Sequence, residues 1–181
     1  MRFISGKYKG RKIEGFDIVG TRPTMDRVKE SLFAMINSYL KESTILDLFA
    51  GTGSLGLEAI SNGAKEAYFV DKNIISTKTI KKTVENTKIE EKINILNIDY
   101  KNALEKFKKE NIKFDIIFLD PPYNDNLIND CLNKIKEYDL LNENGIIVCE
   151  YEKEKLIDIY PIYKEKKYGS KYIKIYKSSN S

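Results

Sequence analysis

Three observations predict an α/β chain built on a mostly parallel, seven-stranded sheet with helices on both faces. From Ser43 onward, short runs rich in β-branched residues alternate with runs of helical period, as repeated βα units require. The last two extended runs flank a Tyr168-Gly169-Ser170 turn and read as an antiparallel pair closing the sheet. The length, 181 residues, suits a single core of this kind.

At the N-terminus, Arg2–Ser5 and Arg11–Ile13 are short extended segments joined by G-K-Y-K-G, which reads as a β-hairpin with a basic tip. A pair this small is not stable alone and must lean on another element. Tyr8 at its tip is read as a ring for stacking on nucleic acid. Thr21-Arg22-Pro23-Thr24 is a connector, with Thr24 as N-cap and Asp26 in the first helical turn. Val28, Leu32, Met35, Ile36 and Tyr39 then recur at helical spacing to about Leu40.

Strands are expected at Thr44–Phe49, Ala67–Val70, Ile93–Ile98, Phe114–Leu119 and Gly145–Glu150, then at Leu156–Tyr163 and Tyr172–Tyr176. The helices between them are Leu55–Ser61, Ile75–Thr87, Asn102–Lys109 and Leu127–Glu137. Three units result: a hairpin extension over residues 1–20, the α/β body over 21–177 and a polar tail over 178–181.

The absence of histidine excludes Ser-His and Cys-His nucleophilic sites and any His-ligated metal. Cys131 and Cys149 lack close pairing and read as buried thiols in a reducing cytoplasm. No apolar run approaches the length of a membrane span, and neither a signal peptide nor a metal is expected. Net charge is only +4, but all four arginines (Arg2, Arg11, Arg22 and Arg27) lie in the first 27 residues of a chain that otherwise uses lysine. Arginine's planar fork suits phosphate, so Arg2, Lys7, Lys9, Arg11, Lys12 and Arg22 are the candidate nucleic-acid contacts.

Ligands of open α/β sheets bind outside the carboxyl ends of the strands. Four strands end there in an acid: Asp47, Asp71, Asp99 and Asp120. After Asp47 the chain reads L-F-A-G-T-G-S-L-G, in which Gly51, Gly53 and Gly56 satisfy G-x-G-x-x-G. Alone, that pattern suits a dinucleotide-binding oxidoreductase. Asp47 argues against it, because a carboxylate four residues before Gly51 would face a pyrophosphate. It suits a cation instead. S-adenosylmethionine offers an ammonium, a sulfonium and no phosphate; Asp71 can serve its ribose and Asp99 its adenine amine. The fourth strand runs into Asp120-Pro121-Pro122-Tyr123, a rigid ledge whose prolines donate no hydrogen bond and leave backbone carbonyls free to face a ligand.

D-x-F-A-G-T-G with D-P-P-Y resembles the class I S-adenosylmethionine-dependent amino-methyltransferases. The wider match, G-K-Y-K-G-R-K-I at Gly6–Ile13, T-R-P-T-M-D-R-V-K-E-S-L-F at Thr21–Phe33 and L-D-L-F-A-G-T-G-S-L-G-L-E-A at Leu46–Ala59, resembles the RsmD-type 16S rRNA guanine-N2 methyltransferases over nearly the whole chain. The resemblance implies a Rossmann-like fold and a cofactor site of Asp47, Phe49, Gly51, Thr52, Gly53, Gly56, Asp71 and Asp99. It implies that Asp120, Pro121, Pro122 and Tyr123 hold the target base, with the hairpin and Arg22 toward 16S rRNA or an assembled small subunit. Lys29 stands where arginine is expected, on what reads as an exposed helix face.

An exocyclic amine needs acceptors for both N–H bonds so that its lone pair can aim at the methyl; these are assigned to the Asp120 carboxylate and the Pro121 carbonyl, with Tyr123 stacking on the extruded base. D-P-P-Y is shared with DNA adenine-N6 enzymes, the nearest rival, but the chain is not expected to have room for the added target-recognition domain that sequence-specific DNA reading calls for. An NAD(P)-dependent oxidoreductase is disfavoured by Asp47 and by D-P-P-Y, and a non-catalytic RNA-binding module by the strand-end acids, which would repel phosphate. A cytoplasmic monomer is expected.

Overall fold

The structure, a computed structural model, describes residues 1–15, 23–122 and 126–179, with the backbone alone for residues 23–25. The expected positions of Arg22 and Tyr123 lie outside the described residues, and Thr24 does not cap the first helix, since its backbone is already inside the helix that includes Pro23.

Seven strands form one sheet in the order β3-β2-β1-β4-β5-β7-β6. In chain order they are β1 (Thr44–Asp47), β2 (Glu66–Val70), β3 (Lys92–Leu96), β4 (Phe114–Leu119), β5 (Leu141–Tyr151), β6 (Ile162–Tyr168) and β7 (Lys171–Lys177). The first five are parallel, while β7 runs antiparallel to both β5 and β6. The helices are α1 (Pro23–Met35), α2 (Asn37–Leu40), α3 (Ser54–Ser61), α4 (Ile74–Thr87), α5 (Tyr100–Lys109) and α6 (Leu127–Glu137).

Successive strand side chains point to opposite faces, and two cores follow from that alternation. Ile45, Phe69, Ile116, Phe118, Ile146 and Val148 pack beneath Leu32 and Phe33 of α1, Leu57 of α3 and Ile80 of α4. Leu46, Val70, Ile117, Leu119, Ile147 and Cys149 face Leu104 and Phe107 of α5 and Cys131, Leu132 and Ile135 of α6. Both thiols are free and buried.

Two expected elements are displaced. The first long helix breaks at Ile36 into α1 and α2 (φ −103°, ψ 8°). The sixth strand is not Leu156–Tyr163 but Ile162–Tyr168. Leu156 is buried as a loop residue on the α5/α6 side, which is why its apolar neighbourhood imitates a strand. The true strand carries Lys164, Lys166 and Lys167 exposed, the charged composition that protects a sheet edge from pairing with another chain.

The N-terminal hairpin forms, with Arg2 bridging Lys12 antiparallel and the Phe3 and Ile13 amides donating to Arg11 and Met1 carbonyls. Phe3, Tyr8 and Ile13 are buried in the same core as α1 and α3. Gly6 has φ +80°, and a Cβ there would come within 2.0 Å of the Ser61 carbonyl oxygen, so only glycine permits this approach to the end of α3. Tyr8 is not a free ring. Its hydroxyl donates to Glu91 at 2.6 Å and accepts from the Glu90 amide, which corrects the expected stacking role.

Candidate active site

The strand order reverses between β1 and β4, and the cavity opens there, at the carboxyl ends of the parallel strands. It encloses about 1000 Å³ and is walled by the β1–α3 loop, the ends of β2, β4 and β5, the start of β7 and one side of α1. The β1–α3 loop is pinned to the sheet, since the Leu48 amide donates to the Phe118 carbonyl and the Ala50 amide to that of Val70.

Asp47, at the last position of β1, is buried and accepts from the Gly56 amide at 3.0 Å. Burial, reinforced by the charge of Asp71 and opposed by that amide, pushes its pKa up to about 7. Gly53 takes the left-handed N-cap position of α3 (φ +78°). A Cβ on Gly56 would stand 2.4 Å from the Phe69 ring, so its role is close helix–strand packing. Neither Gly53 nor Gly56 is on the cavity wall; Phe49, Gly51 and Thr52 are. Phe49 pairs with Tyr100 at 5.3 Å between ring centroids, making an aromatic side to the cleft.

Asp71 follows β2 and accepts from the amides of Gly51 (2.8 Å) and Asn73 (2.9 Å). It thereby ties two loops together while keeping lone pairs toward the cavity it lines. Asp99 caps α5 by accepting from the Lys101 amide and lines the same cavity.

Asp120 closes β4, with Pro121 buried and Pro122 exposed on the rim. Asp120 keeps part of its surface open to the cavity, yet protein surrounds most of it. Burial first, then the Glu150 carboxylate, push its pKa well above the usual carboxylate range, against the opposing pull of Lys171. Glu150 and Lys171, which sequence reading missed, form an ion pair at 3.2 Å on the cavity wall. Glu150 was within reach of the strand-end rule, as the acid at the end of the fifth parallel strand. Lys171 was not, because β7 is antiparallel and contributes its amino end.

Lys29 corrects another expectation. It is buried rather than exposed, donates to Ser54 Oγ at 2.8 Å and pairs with the fully buried Glu58. Burial lowers its pKa, and Glu58 opposes that shift. Tyr168, at the end of β6, lines the cavity and shares a hydrogen bond with Ser31 of α1.

Of the basic hairpin residues, Arg2, Lys9, Arg11 and Lys12 are exposed. Lys7 is held by both Glu90 and Glu91 at 3.1 Å. Those glutamates directly precede β3, so the hairpin tip sits at the amino ends of the strands, opposite the cavity.

Residues 1–177 match the family described as Conserved hypothetical protein 95. Ribosomal RNA small subunit methyltransferase D of Haemophilus influenzae is 35% identical over 182 residues, covering 98% of this chain and 94% of that protein. The solved structure of the Escherichia coli protein yhhF superposes with a TM-score of 0.86 at 25% identity, over 100% of this chain and 99% of that one. At 20% identity, a likeness of fold alone, the Thermus thermophilus 16S rRNA N2 G1207 methyltransferase in complex with AdoMet and guanosine gives a TM-score of 0.67 over 90% of this chain and 45% of that one. With this coverage and a seven-stranded sheet of class I topology, the chain belongs to the RsmD-type methyltransferase family.

Proposed function

We propose that this protein transfers a methyl group from S-adenosylmethionine to the N2 amine of a guanine in 16S rRNA. One observation carries the reading: Asp120 and Pro122 open onto the same cavity as Gly51 and Thr52 of the glycine loop and the strand-end acids Asp47, Asp71 and Asp99. The relatives' names support rRNA methylation, and the choice of guanine N2 rests on resemblance to their family.

The residues present fit the cofactor. Asp47 supplies negative potential beside a cationic ligand, Asp71 and Asp99 offer acceptors for ribose hydroxyls and an adenine amine, and Phe49 gives an apolar side. Gly51, with open space where a Cβ would project, lets backbone approach closely. When bound, S-adenosylmethionine supplies an electrophilic methyl on an excellent leaving group. The chain's part is positional and electrostatic. The Asp120 carboxylate and Pro121 carbonyl accept the amine N–H bonds, so the nitrogen pyramidalises as its bond to carbon forms. The proton then leaves to Asp120 or to water. Tyr123 is assigned to stacking on the base, and exposed Arg2, Lys9, Arg11 and Lys12, with Arg22, to rRNA phosphates. No helix among the described residues is long and apolar enough to cross a membrane, and the reading places the enzyme in the cytoplasm with the ribosome.

The test is incubation with labelled cofactor and undermodified small subunits, naked rRNA or DNA, followed by nucleoside analysis. Labelled N2-methylguanosine is expected. Labelled N6-methyladenine, or no transfer to any rRNA, would contradict the reading.

A further inference from the structure

The strand-end acids of β1, β2 and β4 are accounted for by cofactor and amine, but Glu150 and Lys171 are not. The sheet register fixes where they point. Leu119 of β4 pairs with Cys149 of β5, and both belong to the α5/α6 core. Asp120 and Glu150, one residue further along each strand, therefore project together onto the opposite face. On β7, Ile173 pairs with Glu150 and packs in the α1/α3 core, so Lys171, two residues away, shares that face. Three neighbouring strands, in the order β4-β5-β7, thus present an acid, an acid and a cation side by side. All three line the cavity. The Lys171–Glu150 contact of 3.2 Å holds the last two as one unit, with the Glu150 side chain only 18% exposed.

Guanine's Watson–Crick edge carries, in sequence, the N2 amine, the N1–H donor and the O6 acceptor. An extruded base is read by hydrogen bonds on that edge. We propose that Glu150 and Lys171 are specificity-determining residues that read guanine, Glu150 accepting from N1–H and Lys171 donating to O6, beside the Asp120 that holds the N2 amine. Adenine, with an acceptor at N1, brings its lone pair against the Glu150 carboxylate and is rejected by that repulsion. The ion pair also prevents either charge from standing uncompensated in the cleft before the base arrives. This inference rests on the guanine-N2 reading above.

The test compares small subunits reconstituted with guanosine or 2-aminopurine riboside at the accepting position, once the labelled product has located it. 2-Aminopurine keeps the C2 amine but has an acceptor at N1 and no O6. For the wild type, kcat/KM should favour guanosine by roughly 10⁴, the discrimination of a site built to hydrogen-bond a group that the analogue lacks. In Glu150→Gln, whose amide can donate to N1, that ratio should fall at least about tenfold. Lys171→Met should also lower it. Comparing ratios between variants cancels the intrinsic reactivity of the two amines. Unchanged S-adenosylhomocysteine affinity shows that each variant is folded. Wild-type N2-methylation of guanosine with the same ratio in both variants would overturn the assignment of Glu150 and Lys171 alone. Absence of N2-methylguanosine from every rRNA substrate would overturn the underlying reading as well.

Discussion

Lys29 Nζ lies 3.1 Å from Glu58 Oε1, and neither side chain is more than 7% exposed. Glu58 also accepts from the amides of Ile4 and Ser5, the Ser5 hydroxyl and the Asn62 amide, so one carboxylate ties the N-terminal hairpin and α1 to α3. Truncating one partner of a buried pair costs about 3–5 kcal/mol. Glu58→Ala should reach that range in urea unfolding, because it strands Lys29 and two backbone amides. Lys29→Met should cost less, since Glu58 keeps its other donors. The reverse order would show that the carboxylate is not the hub.

Asp47 should make stability pH-dependent. Its pKa, about 7 in the folded protein, is near 3.9 in an unfolded chain. The folded state therefore binds more protons between those values, and stability falls as pH rises from about 4 to 7. The full cost, on the order of 4 kcal/mol, persists above pH 7. Asp47→Asn should raise the urea midpoint at pH 8 but not at pH 4. It should also weaken binding of cationic S-adenosylmethionine in calorimetry. A variant no more stable than the wild type at pH 8 would contradict the assignment.

The acid limb of turnover should move in opposite directions in two variants. In the proposed mechanism Asp120 accepts from the amine as a carboxylate, so activity should rise as pH passes its raised pKa. Glu150 raises that pKa and Lys171 lowers it. Glu150→Gln should shift the limb to lower pH, and Lys171→Met to higher pH. Limbs that coincide with the wild type would separate Asp120 from this pair.

Charge on the hairpin should be felt unevenly by RNA. Lys9→Glu with Arg11→Glu should weaken binding and flatten its salt dependence by about one to two counterions. Lys7→Gln should change the slope little, because Glu90 and Glu91 already neutralise that lysine. An unchanged slope in the double variant would move the RNA to another face.

The sheet was legible because βα alternation and strand-end aspartates are local signals, each contained in about ten residues. What escaped depends on contacts distant in sequence. Lys29 falls on the polar side of a helical pattern, and only the arrival of Glu58 from α3 makes its burial tolerable. Tyr8 in a basic tip looks like a stacking ring until Glu91, 83 residues away, takes its hydroxyl. The edge strand β6 was misplaced because apolar loop residues before it outweigh its own lysines. Lys171 enters the site from an antiparallel strand, outside any rule about carboxyl ends.

Turnover by Asp120→Ala tests the account most directly, measured with S-adenosylhomocysteine affinity on the same preparation. Asp120 lines the cavity and, in the proposed mechanism, joins the cofactor to the accepting amine. Its loss should lower kcat roughly 10²-fold or more, the effect of removing one preorganised electrostatic group, with cofactor affinity nearly unchanged. Wild-type turnover in this variant would contradict it.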